Sequence, residues 1–285
     1  MQGWVIYQKD DAVRNCAYIG FLQTAFAARG SELCLRYAEH FTYGTNENGL
    51  FLSYEGQPSS LPDFVIMRAA LPIFSQHLEW MGCRVFNTSD VSRIANDKLQ
   101  TLQLAARLGL CVPVTRLATK ESAPAIAAAL WYPLVMKPRD GHGGRDVVWI
   151  TSATELDEKL QAYGHTSFLL QKQTQDLGRD LRVYVMGGEI VAGLLRRRDT
   201  EFCSKFCLGG RAEPYRLTPE VRSMTKRLMQ ALPMDYAGID FMFSGGKPVF
   251  NEIEDVVGAR MLYSLTDIDI ADRHAAYILH LLRQL

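Results

Sequence analysis

The sequence predicts a protein of mixed α/β and α+β class, and three patterns along the chain support this prediction. Through the first 90 residues, short apolar segments alternate with helical patterns, which is typical of a parallel α/β domain. Glycine pairs at 187–188 and 245–246 each separate two strand-like segments, as in antiparallel hairpins. An amphipathic pattern over residues 269–282 predicts a final helix.

The first region, residues 1–90, is expected to form one N-terminal parallel α/β domain. Strand-like segments lie at 4–7, 32–37, 63–67 and 84–86, and helical patterns at 15–29 and 72–81. In the first helix, Tyr18, Leu22 and Phe26 recur at a spacing of four, and Gly30 follows as a stop signal. No cluster of side chains in this region suggests chemistry.

The second region, residues 91–285, contains several predicted parts. A helix is expected over about 91–108, capped by Ser89 or Asp90 and ended by Gly109. Helices at 123–130 and 154–163 and strands at 133–137 and 147–150 predict a small α+β unit over about 115–170, of the size of a lid. The two hairpins, at 181–195 and 238–253, predict an antiparallel sheet, with a helix at 219–232 between them.

The overall composition narrows the function classes. The 31 Lys and Arg residues balance the 31 Asp and Glu residues, so no global field favours nucleic acid or an anionic membrane as a partner. The six cysteines form no CxxC pair, and no apolar stretch approaches the length of a membrane span. We therefore expect a cytoplasmic protein with reduced thiols that binds neither nucleic acid nor membranes.

Three acidic residues mark the most informative hairpin. Asp240 lies on its first strand and Glu252 and Glu254 on its second, and side chains two residues apart share a strand face. The hairpin can therefore bring the three carboxylates together, and among apolar neighbours such a cluster needs cations to neutralise it. Oxygen ligands without a nearby thiol or imidazole favour Mg²⁺ or Mn²⁺. The alternative is a solvated strand face whose acids only keep the hairpin soluble.

A lysine at a strand end marks a second candidate site. The apolar segment 134–136 leads into Lys137, and the loop that follows carries Gly143 and Gly144. Glycines let backbone N–H groups approach phosphate oxygens closely, and Lys137 would add a point charge. A plain flexible turn between two strands produces the same glycine pattern just as readily.

Two charged residues on the next strand-like segment form a third candidate. Asp180 and Arg182 are two residues apart and are expected on one strand face. The acid could accept hydrogen bonds from ribose hydroxyls, and the arginine could hold a phosphate or carboxylate group. A surface ion pair explains the two residues equally well.

Taken in order, these features resemble the ATP-grasp superfamily, and within it the RimK-type α-L-glutamate ligases. The resemblance covers about residues 88–285 and rests on short motifs in a fixed order: Asn96-Asp97-Lys98, Val135-Met136-Lys137, Asp180-Leu181-Arg182, Gly209-Gly210, Ala237-Gly238-Ile239-Asp240 and Asp267-Ile268-Asp269. It implies an ATP-grasp fold with an N-terminal pre-ATP-grasp domain, a small α+β lid and a C-terminal antiparallel-sheet subdomain. ATP would lie between the last two parts.

The resemblance also implies a role for each candidate residue. Contacts with ATP are expected from Lys98 and Lys137 at the phosphates, Lys172 and Gln173 at the adenine and Asp180 at the ribose, with Gly143, Gly144, Ser204 and Lys205 as further nucleotide-binding residues. Asp240, Glu252 and Glu254 would hold two Mg²⁺ or Mn²⁺ ions against the β- and γ-phosphates. The catalytic candidates are Arg182, Arg260 and Lys205, and the two arginines would hold the acyl phosphate and its oxyanion.

The implied activity is that of an ATP-dependent carboxylate–amine ligase. A substrate carboxylate would take the γ-phosphoryl group, release ADP and form an acyl phosphate, which an amine would then attack to give an amide. Amino acids or peptides are the expected substrates, and a homodimer or homotetramer is the expected assembly. Two alternatives stay open: a kinase that stops at the phosphorylated product, and a non-catalytic module that binds ATP.

Two departures from the family pattern bear on the substrate. Glu254 stands where RimK-type members usually carry an asparagine, which adds a negative charge to the expected metal site. Residues 203–208 replace the Arg-Ser-Asn and His-Arg elements of the glutamate-adding members, so they count against glutamate as the added group. The run Arg196-Arg197-Arg198 either attracts an acidic substrate or forms a solvated strand end.

Overall fold

The computed structural model describes residues 1–140, 146–197 and 211–284. The elements of the first 90 residues are, in order, β1 (Gln2–Tyr7), α1 (Lys9–Arg14), α2 (Cys16–Ala27), β2 (Glu32–Tyr37), a 3-10 turn (Ala38–His40), β3 (Phe41–Asn46), β4 (Gly49–Tyr54), β5 (Gln57–Pro58), β6 (Phe64–Met67), α3 (Pro72–Trp80) and β7 (Arg84–Phe86). Strands β2, β1, β6 and β7 form a parallel sheet in that order. The predicted parallel sheet is confirmed.

The sequence pattern does not predict the small antiparallel sheet of β3, β4 and β5. Only Phe41 and Leu52 are buried in its two longer strands, so the alternation of apolar and polar residues that marks a strand is weak. Both residues pack into a core with Trp4 of β1. The helix expected over 15–29 is confirmed as α2, and the short helix α1 that precedes it was not predicted.

The single helix expected over residues 91–108 is in fact two helices, α4 (Ser89–Ala95) and α5 (Lys98–Arg107). Asp97 begins the second one, because its side chain accepts hydrogen bonds from two N–H groups in the first turn of α5, at 3.0 and 3.2 Å. The side chain that caps α4 belongs to Thr88 rather than to Ser89 or Asp90. Asp favours such cap positions over helix interiors, which is why the pattern breaks here.

The middle of the chain forms a second sheet. Its elements are β8 (Thr115–Ala118), α6 (Ala123–Leu130), β9 (Leu134–Pro138), β10 (Val148–Ile150), α7 (Ala153–Ala162) and β11 (Phe168–Lys172). The strands are antiparallel in the order β10-β9-β11-β8, and α6 and α7 bury their apolar sides against the sheet. The domain boundary at residue 90 and the lid over 115–170 stay predictions.

The C-terminal part contains the longest strands. Its elements are β12 (Asp176–Met186), β13 (Glu189–Arg197), β14 (Arg211–Pro214), α8 (Pro219–Ala231), β15 (Tyr236–Ser244), β16 (Lys247–Glu254), α9 (Arg260–Leu265) and α10 (Ile270–Leu282). The strands form an antiparallel sheet in the order β14-β13-β12-β15-β16, and both predicted hairpins are confirmed. At each turn two glycines adopt φ values between 56° and 84°, the backbone that two-residue hairpin turns require.

One apolar core joins the two ends of the chain. Val5 and Phe64 of the N-terminal sheet and Phe26 of α2 pack together with Leu262 of α9 and Ile278 of α10. A second core lies between the C-terminal sheet and helices α5 and α8. The N-terminal sheet therefore packs directly against the C-terminal part. Within the described ranges, none of the helices has the length and apolar character needed to span a membrane.

Candidate functional site

A network of buried charged side chains lies on one face of the C-terminal sheet, where β12 is flanked by β13 and β15. The register places Arg182 opposite Asp240 and Asp180 opposite Arg196. Arg182 donates from Nε and Nη2 to the two carboxylate oxygens of Asp240, at 2.8 and 2.7 Å. Arg196 donates to Asp240 at 2.8 Å and also bonds Asp180. Because these four side chains are only 2% to 12% exposed, the alternative of a surface ion pair is wrong.

The predicted carboxylate hairpin adds one more member to this network. Asp240 lies opposite Glu252, Gly238 lies opposite Glu254, and Nη1 of Arg182 forms an ion pair with the Glu254 carboxylate. The three acids share one face, as predicted, and Arg182 stands between Asp240 and Glu254. Over the ranges that the structure describes, no three Asp, Glu, His or Cys side chains form a group that could hold a metal ion. Asp240 is almost fully buried, so a merely solvated strand face is wrong.

The two guanidinium groups keep Asp240 ionised. Burial raises the pKa of this carboxyl group, but the charges and hydrogen bonds of Arg182 and Arg196 outweigh burial and lower the pKa to about 2. For Glu254 the effect of burial is larger than that of Arg182, so its pKa is raised. The network thus contains one firmly ionised carboxylate and one that takes up a proton more readily.

Two lysines lie beside the carboxylate face. Lys137, near the end of β9, is 6% exposed, and Lys98 is the first residue of α5. Burial is the main cause that lowers the pKa of Lys137 to about 8; the Lys98 charge lowers it further, whereas Glu252 raises it. The Lys98 N–H donates to the carbonyl of Arg139 at 2.9 Å, which joins the start of α5 to the end of β9. Two ammonium groups in this position suit the binding of phosphate oxygens.

Comparison with known proteins decides the family. A family profile described as a RimK-like ATP-grasp domain matches residues 95–278. The chain belongs to this family. A probable α-L-glutamate ligase from Thioalkalivibrio sulfidiphilus is 30% identical over 239 residues, which cover 80% of this chain and 79% of that protein.

Solved structures share the ATP-grasp fold over nearly the whole chain. The RimK-domain ATP-grasp protein from Sphaerobacter thermophilus has a TM-score of 0.74 at 18% identity, covering 97% of this chain and 99% of its own. The ATP-grasp ligase PsnB, solved with a phosphomimetic variant of a minimal precursor, Mg and ADP, has a TM-score of 0.71 at 19% identity, covering 98% of each chain. The predicted fold and RimK-type resemblance are confirmed, and the predicted activity class agrees with the ligase names of these proteins.

In this RimK-like ATP-grasp chain, the residues expected at the adenine lie where two sheets meet. Lys172 ends β11, its N–H donates to the Val114 carbonyl at 2.8 Å, and Gln173 follows on the way to β12. Within the described residues, Oε1 of Gln173 is buried without a hydrogen-bond partner. Arg260, a catalytic candidate, is exposed at the start of α9. The contacts expected of Lys172, Gln173 and Arg260 stay predictions.

Four further predicted site residues lie outside the described residues. Along the sequence, Gly143 and Gly144 follow β9, and Ser204 and Lys205 fall between β13 and β14. Their expected contacts with the nucleotide, and the catalytic role of Lys205, stay predictions.

Sequence reasoning missed two parts of the RimK-like site. Arg196 entered only as one member of a basic run, whereas its guanidinium lies inside the network between Asp180 and Asp240. Asp97 forms an ion pair with Arg139 at 3.1 Å and so connects α5 to the strand that carries Lys137. The signal for Asp97 was present, since an Asp within a helical pattern favours a helix start.

Proposed function

We propose that this RimK-like ATP-grasp protein is an ADP-forming, Mg²⁺-dependent ligase that joins the carboxylate of one substrate to the amine of another through an acyl phosphate. The observation that carries the proposal is that Lys137 lies close enough to Lys98 and to Glu252 to feel both charges, while Glu252 lies opposite the buried Asp240. Positive groups for phosphate oxygens and oxygen ligands for a cation lie side by side, as phosphoryl transfer requires. The names of the related ligases support the same class.

We assign Asp240, Glu252 and Glu254 to Mg²⁺. The described side chains do not form a complete three-ligand group by themselves, but at phosphoryl-transfer sites Mg²⁺ is held by one or two carboxylates together with the phosphates of the nucleotide. Their carboxylate oxygens are hard ligands of the kind that Mg²⁺ prefers, and Asp240 is held ionised. The four carboxylates of this face, Asp180 included, are balanced by Arg182, Arg196 and the two lysines beside it, so the negative charge that a cation would offset is that of the ATP phosphates. When bound, Mg²⁺ would neutralise charge on the β- and γ-phosphates. Two ions, and Mn²⁺ as a substitute, are part of this proposal.

In the first step, a carboxylate oxygen of the substrate attacks the γ-phosphorus of ATP and ADP leaves with the bridging oxygen. Lys98 and Lys137 hold the phosphates in line from two sides, Asp180 accepts from the ribose, and Lys172 and Gln173 line the adenine. Positioning and charge stabilisation supply the acceleration. Closure of the unit over residues 115–170 excludes water and so protects the acyl phosphate from hydrolysis.

In the second step, the amine nitrogen attacks the acyl carbon, inorganic phosphate leaves, and the nitrogen loses a proton. We assign Arg182 and Arg260 to the acyl phosphate and the developing oxyanion. Arg196 adds positive charge to the same face, because its guanidinium bonds Asp240 beside Arg182. Ser204 and Lys205 are assigned to the nucleotide, and Lys205 also to catalysis.

The substrates we propose are amino acids or peptides, including acidic ones. Within the basic run, Arg196 is committed to Asp180 and Asp240 and Arg197 pairs with Glu213 at 3.2 Å, so the preference for acidic substrates rests on the related ligases rather than on these two charges. The related glutamate ligases and the PsnB structure with its precursor support this class. We further propose that the enzyme acts in the cytoplasm as a homodimer or homotetramer.

The test is ADP release measured over a panel of amino acids and peptides, with the product mass determined. We expect release that depends on both a carboxylate and an amine, and a product whose mass is that of the two substrates less one water. Asp240→Asn and Glu252→Gln should abolish turnover, whereas Asp272→Asn, on the surface of α10, should not. No release with any mixture would overturn the proposal. A phosphorylated product without an amide would identify a kinase instead, and ATP binding without release a non-catalytic module.

A further inference from the structure

Asp255, directly after Glu254, has a buried carboxylate that the proposed mechanism does not use. Its side chain accepts hydrogen bonds from Nδ2 of Asn96 at 3.2 and 3.1 Å and from the Ser92 hydroxyl, and the residue is only 6% exposed. Burial raises the pKa of Asp255 to about 6, although these hydrogen bonds and the charge of Arg68 act in the opposite direction. Burying a carboxyl group whose hydrogen bonds come from neutral donors costs free energy, which suggests that the position of Asp255 serves a function.

The main chain of Asp255 is held from a second direction. Nδ2 of Asn87, directly after β7, donates to the Asp255 carbonyl at 3.2 Å and to the Tyr236 carbonyl at 2.7 Å. The Oδ1 atom of Asn87 accepts from the N–H groups of Asp235 and Tyr236 at 2.7 and 3.1 Å. Asn87 therefore ties the start of β15 to the end of β16. The backbone one residue beyond Glu254 is fixed by these contacts.

Asn96 connects Asp255 to the phosphate-binding side of the site. It lies at the junction of α4 and α5, and the next two residues are Asp97, which caps α5, and Lys98. The Asp97 carboxylate and the Lys98 N–H both bind Arg139, at 3.1 and 2.9 Å, and Arg139 is two residues from Lys137. Helices α4 and α5 also pack against β16. A short path of covalent and hydrogen bonds thus joins the carboxylate strand to both lysines.

We propose that the Asn96–Asp255 hydrogen bond is a positioning contact that sets the lysines for phosphate against the carboxylates assigned to Mg²⁺. This inference rests on the proposed function and gives Asp255 no contact with substrate. A nucleotide bound at the lysines and a cation bound at the carboxylates raise each other's affinity only when the distance and orientation between the lysines and the carboxylates are fixed. Loss of the contact should therefore weaken that coupling more than it weakens the binding of ATP alone.

The experiment measures the dissociation constant of ATP for the full chain by calorimetry, once with Mg²⁺ and once with EDTA. The ratio of the two dissociation constants, EDTA over Mg²⁺, is the Mg²⁺ factor. In Asp255→Asn this ratio should be about tenfold smaller than in the unchanged protein, a loss of the size of one hydrogen bond to a charged group. The constant in EDTA should change little. Asp235→Asn is the matched control, because Asp235 is 5% exposed, bonds Arg84 and Tyr277, and lies before β15. It should lower the melting temperature and leave the Mg²⁺ factor unchanged.

Asn96→Ala tests the same contact from its other side and keeps the test decisive should Asp255→Asn fail to fold. Asp255→Asn keeps an amide oxygen that can accept from Asn96 and removes only the charge, whereas Asn96→Ala removes the hydrogen bond. The double variant should therefore lose no more of the Mg²⁺ factor than Asn96→Ala alone, because both changes act on one interaction. A Mg²⁺ factor in Asn96→Ala equal to that of the unchanged protein would overturn the positioning role. If the protein without any substitution binds no ATP, with or without Mg²⁺, the proposed function itself is overturned.

Discussion

Replacement of Asp240 by asparagine should lower the free energy of unfolding by about 2–4 kcal/mol at pH 7. The side chain is 2% exposed and accepts three hydrogen bonds from Arg182 and Arg196. Its pKa of about 2, against an ordinary 3.8, corresponds to about 2 kcal/mol in favour of the ionised form, at roughly 1.4 kcal/mol per pH unit. Asparagine also removes the carboxylate that two buried guanidinium groups share. Because Arg182 keeps Glu254 and Arg196 keeps Asp180, the cost stays towards the lower end of the roughly 3–5 kcal/mol of a broken buried pair.

Urea unfolding followed by circular dichroism measures this loss. Because the pKa of Asp240 is lowered by folding, its contribution is present above pH 3.8 and is lost as the pH falls towards 2. Asp272→Asn is the control with the same chemical change: Asp272 is 50% exposed and pairs with Arg29 at 2.7 Å, so about 1 kcal/mol or less is expected. A loss in Asp240→Asn no larger than in this control would refute the account of the network.

Three further predictions concern single groups. The pKa of Lys137 is about 8, so ATP binding should take up protons and weaken as the pH rises through 8; calorimetry in buffers of different ionisation enthalpy measures this, and a pH-independent affinity would contradict it. In Gly238→Ala the new Cβ would lie 2.8 Å from Val257 and 3.3 Å from the Arg182 side chain, so melting temperature and ADP release should both fall. An unchanged melting temperature and unchanged ADP release would contradict this prediction and show that the strand shifts to accommodate the methyl group. Burial and the Arg68 charge lower the pKa of His274 from 6.5 to about 3, so the unfolded chain takes up the proton first. The free energy of unfolding should therefore decrease by up to about 1.4 kcal/mol per pH unit below pH 6.5, and His274→Leu should remove this slope in a urea series.

Features that depend on local backbone chemistry were accessible from the sequence. The two hairpins follow from glycine pairs, because both central positions of each turn need a positive φ. Lys137 at the end of an apolar strand and the acids of β15 and β16 also occupy their predicted elements. What the pattern does not contain is the register that brings side chains of different strands together.

The pairing of the acids depends on a β-bulge. Counted from the turn after Ser244, a regular register would place Asp240 opposite Asn251 and turn Glu252 to the other face. The bulge between Asp240 and Phe241 shifts the register by one residue, so that Asp240 lies opposite Glu252. The predicted common face is therefore correct for a reason that alternation alone does not supply.

A second bulge explains why Arg196 was missed. In the hairpin of β12 and β13 the register shifts between Tyr184 and Val185, and only beyond that shift does Arg196 lie opposite Asp180. A regular hairpin would place Leu195 there and direct Arg196 to the opposite face. Both bulges lie next to the charged network, which is a usual location for such irregularities because they re-aim side chains at functional sites.

The polar residues at the carboxyl edge of the N-terminal sheet show how a domain without assigned chemistry can still contribute to the site. Open α/β sheets usually bind ligands at that edge. Here Arg68, directly after β6, donates to the Val257 carbonyl at 2.6 Å and to the Tyr7 hydroxyl at 3.3 Å, and Asn87, after β7, bonds the ends of the carboxylate hairpin. These polar groups are thus committed to the segment that follows Glu254. The N-terminal sheet therefore supports the segment that follows Glu254, and the buried guanidinium of Arg68 serves this contact between the sheet and that segment.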